Sequence, residues 1–292
     1  MNLIEFTIET NKDNVNLVSE VLMGLGCSSV ALSDTNDDAI YEPQVGDIPL
    51  WENTTINAIF ESSSNIEHIQ KSLIKFCSVE KIDYKELEEK VWEDECKRGF
   101  KAMQFGDRVW ICPSWEDSSL LPKDSVIIDM DPGLAFGTGT HETTSLCLEY
   151  LDKNPPKGLT VIDYGSGTGV LAIGAFKLGA SYVVAVDNDH QAIIATNNNV
   201  IKNNAADSIG IFHTDDESEI ESADLLIANI LANPLIELCA HFVGLIKSGG
   251  RITISGIIEQ QLDMVIETYS KHFEELEVTK RGIWCRVDGV KS

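Results

Sequence analysis

The chain has 292 residues, of which 43% are hydrophobic and 24% are charged, a composition typical of globular proteins and not of disordered ones. It carries 22 basic and 47 acidic residues, a formal net charge of −25. Nucleic-acid binding relies on Lys and Arg to neutralise phosphates, so this charge argues against RNA or DNA as a partner. It favours a basic partner, or serves only solubility.

Seven cysteines occur without any C-x-x-C pair, so the spacing typical of a zinc site is missing and we expect no metal. Most have apolar neighbours, as buried free thiols of a reducing compartment do. The N-terminus "MNLIEFTIET" has neither the basic segment nor the apolar run of a signal peptide, and polar residues interrupt the most apolar stretch, 224–246. We therefore expect a cytoplasmic protein without a membrane partner.

Residues 1–85 follow the order β-α-β-β-α-β. The stretches "LIEFTIE", "SVALSD", "TTINAIFE" and "VEKIDY" have strand patterns, and apolar stripes at helical spacing follow the first and third of them. This order predicts a small ferredoxin-like α+β domain. It holds 5 basic and 14 acidic residues, a net charge of −9, and no catalytic constellation. We expect it to be the substrate-recognition domain.

Residues 86–99, "ELEEKVWEDECKRG", have acidic and basic residues at i,i+4 and only a narrow apolar face. This pattern is typical of an exposed helix. We expect a linker helix that joins two domains.

From residue 100 to residue 292 strand and helix patterns alternate, and the chain closes with a hairpin, "FEELEVTKRGIWCRVDG". Such alternation predicts an α/β domain with a doubly wound, mostly parallel sheet. The hairpin is expected to add antiparallel strands at one edge.

The stretch "VIDYGSGTGVLAI" places Gly165, Gly167 and Gly169 between a strand and a helix. Glycines permit a tight turn and let a ligand approach the backbone at a helix N-terminus. The third glycine comes one residue earlier than in the dinucleotide fingerprint G-x-G-x-x-G, which disfavours a nicotinamide dehydrogenase. The alternative is a purely structural turn.

Two polar residues follow apolar strands. Asp187, in "AVDND", comes 22 residues after Gly165, where a carboxylate can accept hydrogen bonds from both hydroxyls of an adenosine ribose. Asn229, in "DLLIANILANP", is expected at the crevice where open α/β sheets bind ligands. Its amide oxygen can accept a hydrogen bond from a cofactor amine or a target amine. The alternatives are a helix cap for Asp187 and a turn former for Asn229.

In this order, the glycine loop, Asp187 and Asn229 resemble the S-adenosylmethionine-dependent methyltransferases of the Rossmann-like superfamily. The segment "DPGLAFGTGTHETT" (131–144), the stretch "NILANP" and the extra N-terminal domain narrow the resemblance to the PrmA family. Its members methylate amino groups of one basic ribosomal protein, large-subunit protein eleven. The resemblance runs from about Leu87 onward, and segment 131–144 is its most specific part.

The resemblance implies roles for individual residues. The glycine loop would hold the methionine moiety of S-adenosylmethionine, Asp187 its ribose, and Asn229 would border the methyl-transfer site as the catalytic candidate. Segment 131–144 would be a second wall or a lid, in which Thr144 closes over the cofactor. If it is a lid, we expect Phe136 to exclude water from the sulfonium. The implied cofactor-binding residues are Phe136, Thr144, Gly165, Gly167, Gly169, Asp187 and Asn229. "NILA" departs from the Asn-Pro-Pro-aromatic motif of many amino methyltransferases, which suits an aliphatic amine.

His141 is a candidate general base. Methyl transfer needs a neutral nitrogen in line with the methyl group, whereas a free lysine with a pKa of ~10.4 is almost wholly charged at neutral pH. Burial of the amine lowers its pKa and provides another route to the neutral form. The alternative role for His141 is loop structure.

The leading hypothesis is a protein N-methyltransferase that acts on lysine side chains, an N-terminal α-amine, or both. Methyltransferases of RNA or of a small molecule are alternatives, and the charge of −25 disfavours RNA. A non-catalytic interaction protein that keeps a Rossmann-like shell is a further alternative.

Overall fold

The computed structural model describes residues 3–35, 51–87, 100–131 and 141–292, apart from the side chains of 217–219. The chain divides into two compact units, Met1–Glu95 and Cys96–Ser292. Among the described helices, none is long and apolar enough to cross a membrane.

The first unit is a four-stranded antiparallel sheet with two helices. Its strands have the order β2-β3-β1-β4. The elements are β1 (Leu3–Asn11), α1 (Val15–Gly24), β2 (Ser29–Asp34), β3 (Asn53–Glu61), α2 (Ile66–Phe76) and β4 (Lys81–Leu87). Alternate residues of β1 and β3 are buried against apolar residues of both helices. The predicted ferredoxin-like order is confirmed.

The boundary of this unit differs from the prediction. Strand β4 continues to Leu87, so the first two residues of the predicted linker helix 86–99 are extended. Glu86 pairs with Ile4 and Leu87 with Leu3 on β1, and these cross-strand pairs outweigh the local helical pattern. The remainder of the predicted linker, 88–99, lies outside the described residues.

The second unit contains a seven-stranded sheet with the order β10-β9-β8-β11-β12-β14-β13. The strands are β8 (Thr160–Tyr164), β9 (Tyr182–Asp187), β10 (Ile209–His213), β11 (Ala223–Asn229), β12 (Ile246–Ile258), β13 (Phe273–Arg281) and β14 (Trp284–Lys291). The first five strands in this order are parallel, and β14 runs antiparallel to both β12 and β13. The closing hairpin therefore adds antiparallel strands at one edge, as predicted.

Helices alternate with these strands and cover both faces of the sheet. They are α3 (Glu142–Lys153), α4 (Val170–Lys177), α5 (His190–Lys202), α6 (Ala232–Leu245) and α7 (Leu262–Tyr269). Successive residues of β8 contribute to two separate hydrophobic cores. Val161 belongs to one hydrophobic cluster and Ile162 to the other. This arrangement is the predicted doubly wound α/β domain.

The strand-like stretches before residue 131 form a separate small sheet. It consists of β5 (Met103–Phe105), β6 (Val109–Cys112) and β7 (Val126–Asp129). The buried carboxylate of Asp152 on α3 holds this sheet. It accepts hydrogen bonds from the backbone N–H of Asp107 at 2.6 Å and from Nε of Arg108 at 3.0 Å.

Six free cysteines lie in the described ranges, four of them buried, as the sequence suggested.

Candidate active site

The predicted site residues meet at the carboxyl edge of the parallel sheet. Gly165 follows β8, Asp187 ends β9 and Asn229 ends β11. Strand β8 pairs with β9 on one side and with β11 on the other, so the ends of these three strands are adjacent. The chain order reverses between β8 and β11, and such a switch point is where open α/β sheets bind ligands.

The glycine loop has a backbone that only glycine adopts easily. Gly165, Gly167 and Gly169 have φ of +78°, +55° and +78°. A Cβ added to Gly165 would collide with Cγ2 of Ile230, the residue after Asn229. The loop therefore lies close against the end of β11, and a side chain at Gly165 would separate the two.

Helix α5 supports the loop from behind. Thr196 donates to the carbonyl oxygen of Gly167 at 3.0 Å, and Asn199 donates to that of Thr168 at 2.9 Å. Thr196 is fully buried. Sequence reasoning missed both residues. Thr196 lies four residues from both Ala192 and Val200, and a polar residue within such an apolar helical stripe is a sequence signal that could have identified it.

Asp187 holds the loop from the neighbouring strand. Its Oδ2 accepts the backbone N–H of Gly167 at 2.8 Å, and its Oδ1 accepts that of Asp189 at 2.9 Å. The residue is buried. Each carboxylate oxygen can accept a second hydrogen bond, so the same group is able to bind hydroxyl groups of a ligand.

Asp163, which the sequence analysis left without a role, lies beneath the loop. Its Oδ2 accepts the N–H of Ala172 in the first turn of α4 at 2.9 Å. Its Oδ1 is buried and forms no hydrogen bond with the described residues. Burial raises the pKa of Asp163 to about 7, and the nearby charge of Asp187 acts in the same direction.

Asn229 and Thr144 form the other wall of the site. Nδ2 of Asn229 donates to Oγ1 of Thr144 at 3.3 Å, and Thr144 is fully buried near the start of α3. This bond turns the amide oxygen of Asn229 away from Thr144, and that oxygen accepts no hydrogen bond from the described residues. The site therefore offers a buried acceptor beside the glycine loop.

His141 is the N-cap of α3. Its Nδ1 accepts the backbone N–H of Thr143 at 3.3 Å and lies 2.7 Å from the hydroxyl of Thr143. Its ring packs edge-on against Trp284 with the centroids 4.7 Å apart, and burial lowers its pKa. These contacts give His141 a structural role, and its role as a base stays a prediction.

The remaining predicted residue, Phe136, and most of segment 131–144 lie outside the described residues. Asp131 is the first residue of the segment. Its carboxylate accepts hydrogen bonds from Nζ of Lys202 at 2.6 Å and from the backbone N–H of Ser114 at 2.7 Å. The lid function of the segment and the contact of Phe136 with a cofactor stay predictions.

Comparison with known proteins gives consistent matches along the chain. The family model described as "Ribosomal protein L11 methyltransferase (PrmA)" matches residues 2–292. The ribosomal protein L11 methyltransferases of Tolumonas auensis and Shewanella sediminis are 41% and 40% identical to this chain over 294 residues, which is all of the chain and 99% and 100% of each relative. The solved structure of a ribosomal protein L11 methylase from Lactobacillus delbrueckii subsp. bulgaricus is 32% identical with a TM-score of 0.61, covering 66% of this chain and 100% of that chain.

Proposed function

Because this chain belongs to the ribosomal protein L11 methyltransferase (PrmA) family, we propose that it transfers methyl groups from S-adenosylmethionine to amino groups of ribosomal protein L11. The acceptors are lysine side chains, the N-terminal α-amine, or both. When bound, S-adenosylmethionine supplies an electrophilic methyl group on a sulfonium. The chain itself must bind this donor, orient the amine and keep water away.

The polar groups of the site fit this cofactor. Gly165, Gly167 and Gly169 keep the loop in a left-handed backbone without side chains, so a ligand can approach the backbone beside the N-terminus of α4, where free N–H groups attract a carboxylate. Asp187 is proposed to accept hydrogen bonds from the ribose hydroxyls. Thr144 and Phe136 are proposed to cover the reactive end, and Gly167 and Gly169 to shape the loop around the methionine moiety.

The observation that carries the proposal is the buried amide oxygen of Asn229, which has no hydrogen-bond donor among the described residues and adjoins the glycine loop. A buried acceptor without a partner costs about 1–3 kcal/mol, and an N–H of the target amine would satisfy it. Asn229 then orients the amine while Thr144 fixes the amide. Burial of the amine favours its neutral, nucleophilic form.

The charge of the chain supports a basic protein as the methyl acceptor. A net charge of −25 repels nucleic acid and attracts a basic partner. A ribosomal protein as acceptor also supports the cytoplasm as the place of action.

The two units are proposed to divide the work. The second unit contains every described residue of the candidate site, and the first, the predicted domain 1–85, captures the protein substrate. The segment after β4, residues 88–99, is proposed to join them.

The test is direct methylation. We expect the purified protein, incubated with S-adenosylmethionine and ribosomal protein L11, to increase the mass of L11 by whole methyl groups, and Asn229→Ala to reduce this strongly. Parallel incubations with ribosomal RNA in place of L11, and calorimetry with NAD in place of S-adenosylmethionine, serve as controls. Methylation of RNA but not of L11, or binding of NAD but not of S-adenosylmethionine, would overturn the proposal.

A further inference from the structure

Helix α3 lies on a polar part of the large sheet. Asn229 on β11 is in register with Ser255 on β12, and Ser255 is in register with Arg286 on β14. Residues in register project from the same face of a sheet, and α3 covers this face. Among the described residues of β12 and β14, none belongs to the hydrophobic cluster that α3 helps to form. The contact of α3 with these two strands is therefore not made by an apolar core.

Arg286 is the centre of this polar contact. Its side chain is buried, and its Nη1 donates to the carbonyl oxygen of Leu146 on α3 at 2.5 Å. Its Nη2 donates to Oδ2 of Asp288 at 2.8 Å and to Oγ1 of Thr279 at 3.0 Å. The guanidinium carbon also lies 5.1 Å from the centre of the Tyr150 ring on α3. One planar group thus joins α3 to both strands of the closing hairpin.

These contacts form a closed ring with the candidate site. Leu146 comes two residues after Thr144 on α3, and Thr144 accepts a hydrogen bond from Asn229 at 3.3 Å. Along the sheet, Asn229 leads through Ser255 back to Arg286. A shift of α3 on the sheet would therefore change the distance between Thr144 and Asn229.

A buried ion pair is a costly way to stabilise a helix on a sheet. Desolvation offsets much of the attraction between buried charges, and apolar residues of similar volume often stabilise a protein equally well. A satisfied polar network differs from an apolar contact because its donors and acceptors match in one arrangement, which makes it rigid. The pair of Arg286 and Asp288 is therefore better suited to fixing the place of α3 than to stabilising the fold.

We propose that Arg286 is a positioning residue for methyl transfer, which holds α3 so that Thr144 keeps the amide of Asn229 oriented toward the acceptor amine. Asp288 and Thr279 in turn orient the guanidinium. This inference rests on the proposed function, because that function assigns the amide oxygen of Asn229 to the amine.

A paired substitution tests this role in the full-length protein. Arg286→Met with Asp288→Leu removes both charges, so neither partner is left buried alone and the variant is expected to fold. At saturating S-adenosylmethionine we expect kcat for L11 to fall by about tenfold, as for loss of one hydrogen bond in the site, with KM for L11 unchanged. In a Thr144→Ala background the same pair should cause no further fall, because its effect passes through Thr144.

A second ion pair between α3 and the hairpin provides the matched control, Arg281→Met with Glu149→Leu. Nη2 of Arg281 donates to both carboxylate oxygens of Glu149 at 2.8 Å, and the side chains are 39% and 31% exposed. Ion pairs in contact with solvent contribute little, so the control is expected to keep the wild-type kcat. Equal losses in the two paired variants would overturn the assignment to Arg286.

Arg286→Lys is the second variant, which keeps the charge beside Asp288. A lysine lacks the planar fork that reaches Leu146 and Thr279 at once, so we expect the same loss of kcat, again dependent on Thr144. An unchanged kcat in both Arg286 variants, or a loss that adds in full to that of Thr144→Ala, would overturn the inference.

Hydrogen exchange separates this inference from the proposed function. We expect backbone amides in the first two turns of α3 to exchange faster in the Arg286 variants than in the wild type and in the control. Unchanged exchange there would overturn the inference. Faster exchange, in a protein whose wild type does not methylate L11, would instead refute the proposed function and leave the positioning of α3 by Arg286 supported.

Discussion

Oδ2 of Asp187 accepts the backbone N–H of Gly167 at 2.8 Å, so the end of β9 and the glycine loop after β8 are held together by a charged hydrogen bond. The residue proposed to bind the ribose thus also shapes the loop proposed to bind the methionine moiety. Changes at Asp187 are expected to act on both halves of the cofactor site.

We expect Asp187→Ala to weaken binding of S-adenosylmethionine by about ten- to a hundredfold, because hydrogen bonds to a charged acceptor contribute ~1.5–3 kcal/mol. Isothermal calorimetry measures this directly. Asp189→Asn is the control, since it removes a charge two residues away and retains the side-chain oxygen that caps α5. An unchanged affinity in Asp187→Ala would contradict the assignment.

Gly165→Ala tests the close approach of the loop to β11. Gly158→Ala is its control, because Gly158 has a similar φ of +73° and no heavy atom within 4 Å of the added Cβ. An alanine held in the left-handed backbone region destabilises both variants by about 1–2 kcal/mol. This is measured as a lower free energy of unfolding. Only Gly165→Ala, whose Cβ meets Ile230, is expected to lose cofactor affinity. Equal affinities in the two variants would show that the loop tolerates a side chain.

The bond between Asn229 and Thr144 predicts coupled effects on turnover. Thr144→Ala is expected to lower kcat for L11 methylation or to weaken cofactor binding, whereas Thr144→Ser keeps the hydroxyl and should retain most activity. In a double-mutant cycle, Thr144→Ala and Asn229→Ala should be non-additive by about 0.5–1.5 kcal/mol, the contribution of a neutral hydrogen bond. Additive effects would mean that the two side chains act independently.

Asp163 predicts a pH dependence of stability. Its pKa is about 7 in the folded protein and about 3.9 in an unfolded chain, so between these values the folded state holds a proton that the unfolded state has lost. The free energy of unfolding therefore falls as the pH rises from about 4 to about 7, by up to about 1.4 kcal/mol per pH unit from this group. Asp163→Asn removes this contribution.

The stability of Asp163→Asn relative to the wild type is thus expected to increase with pH up to about 7 and then to level off. Urea denaturation at a series of pH values measures the difference. A difference that does not change with pH would show that Asp163 is already ionised throughout this range.

A truncated chain tests the division of work between the units. A protein that starts at Cys96, the first residue of the second unit, should bind S-adenosylmethionine as the full chain does and fail to methylate L11. A start at residue 85 would instead leave part of β4 without its partner β1. Calorimetry and mass spectrometry of L11 provide the two readouts. Full activity of the truncated protein would place substrate recognition in the second unit.

Patterns within short stretches of sequence predicted the elements of the site. Gly165, Gly167 and Gly169 mark a turn that requires positive φ, and apolar runs that end in Asp187 and Asn229 mark strands that end in polar residues. The order of elements in residues 1–85 predicted their sheet. These features depend on backbone sterics and on hydrophobic period, which act between residues close in sequence.

Tertiary structure decided what depends on residues distant in sequence. The helical charge pattern yields at Glu86 and Leu87 to pairing with β1, because the sheet of the first unit extends its ladder through these residues and tertiary context overrides weak local propensity. The hydrogen bond that Asn229 donates to Thr144 spans 85 residues, and burial raises the pKa of Asp163. Sequence by itself determined which residues could serve in the site. Their partners and protonation were decided by packing, since solvent exclusion and hydrogen-bond geometry arise only when the sheet and helices assemble.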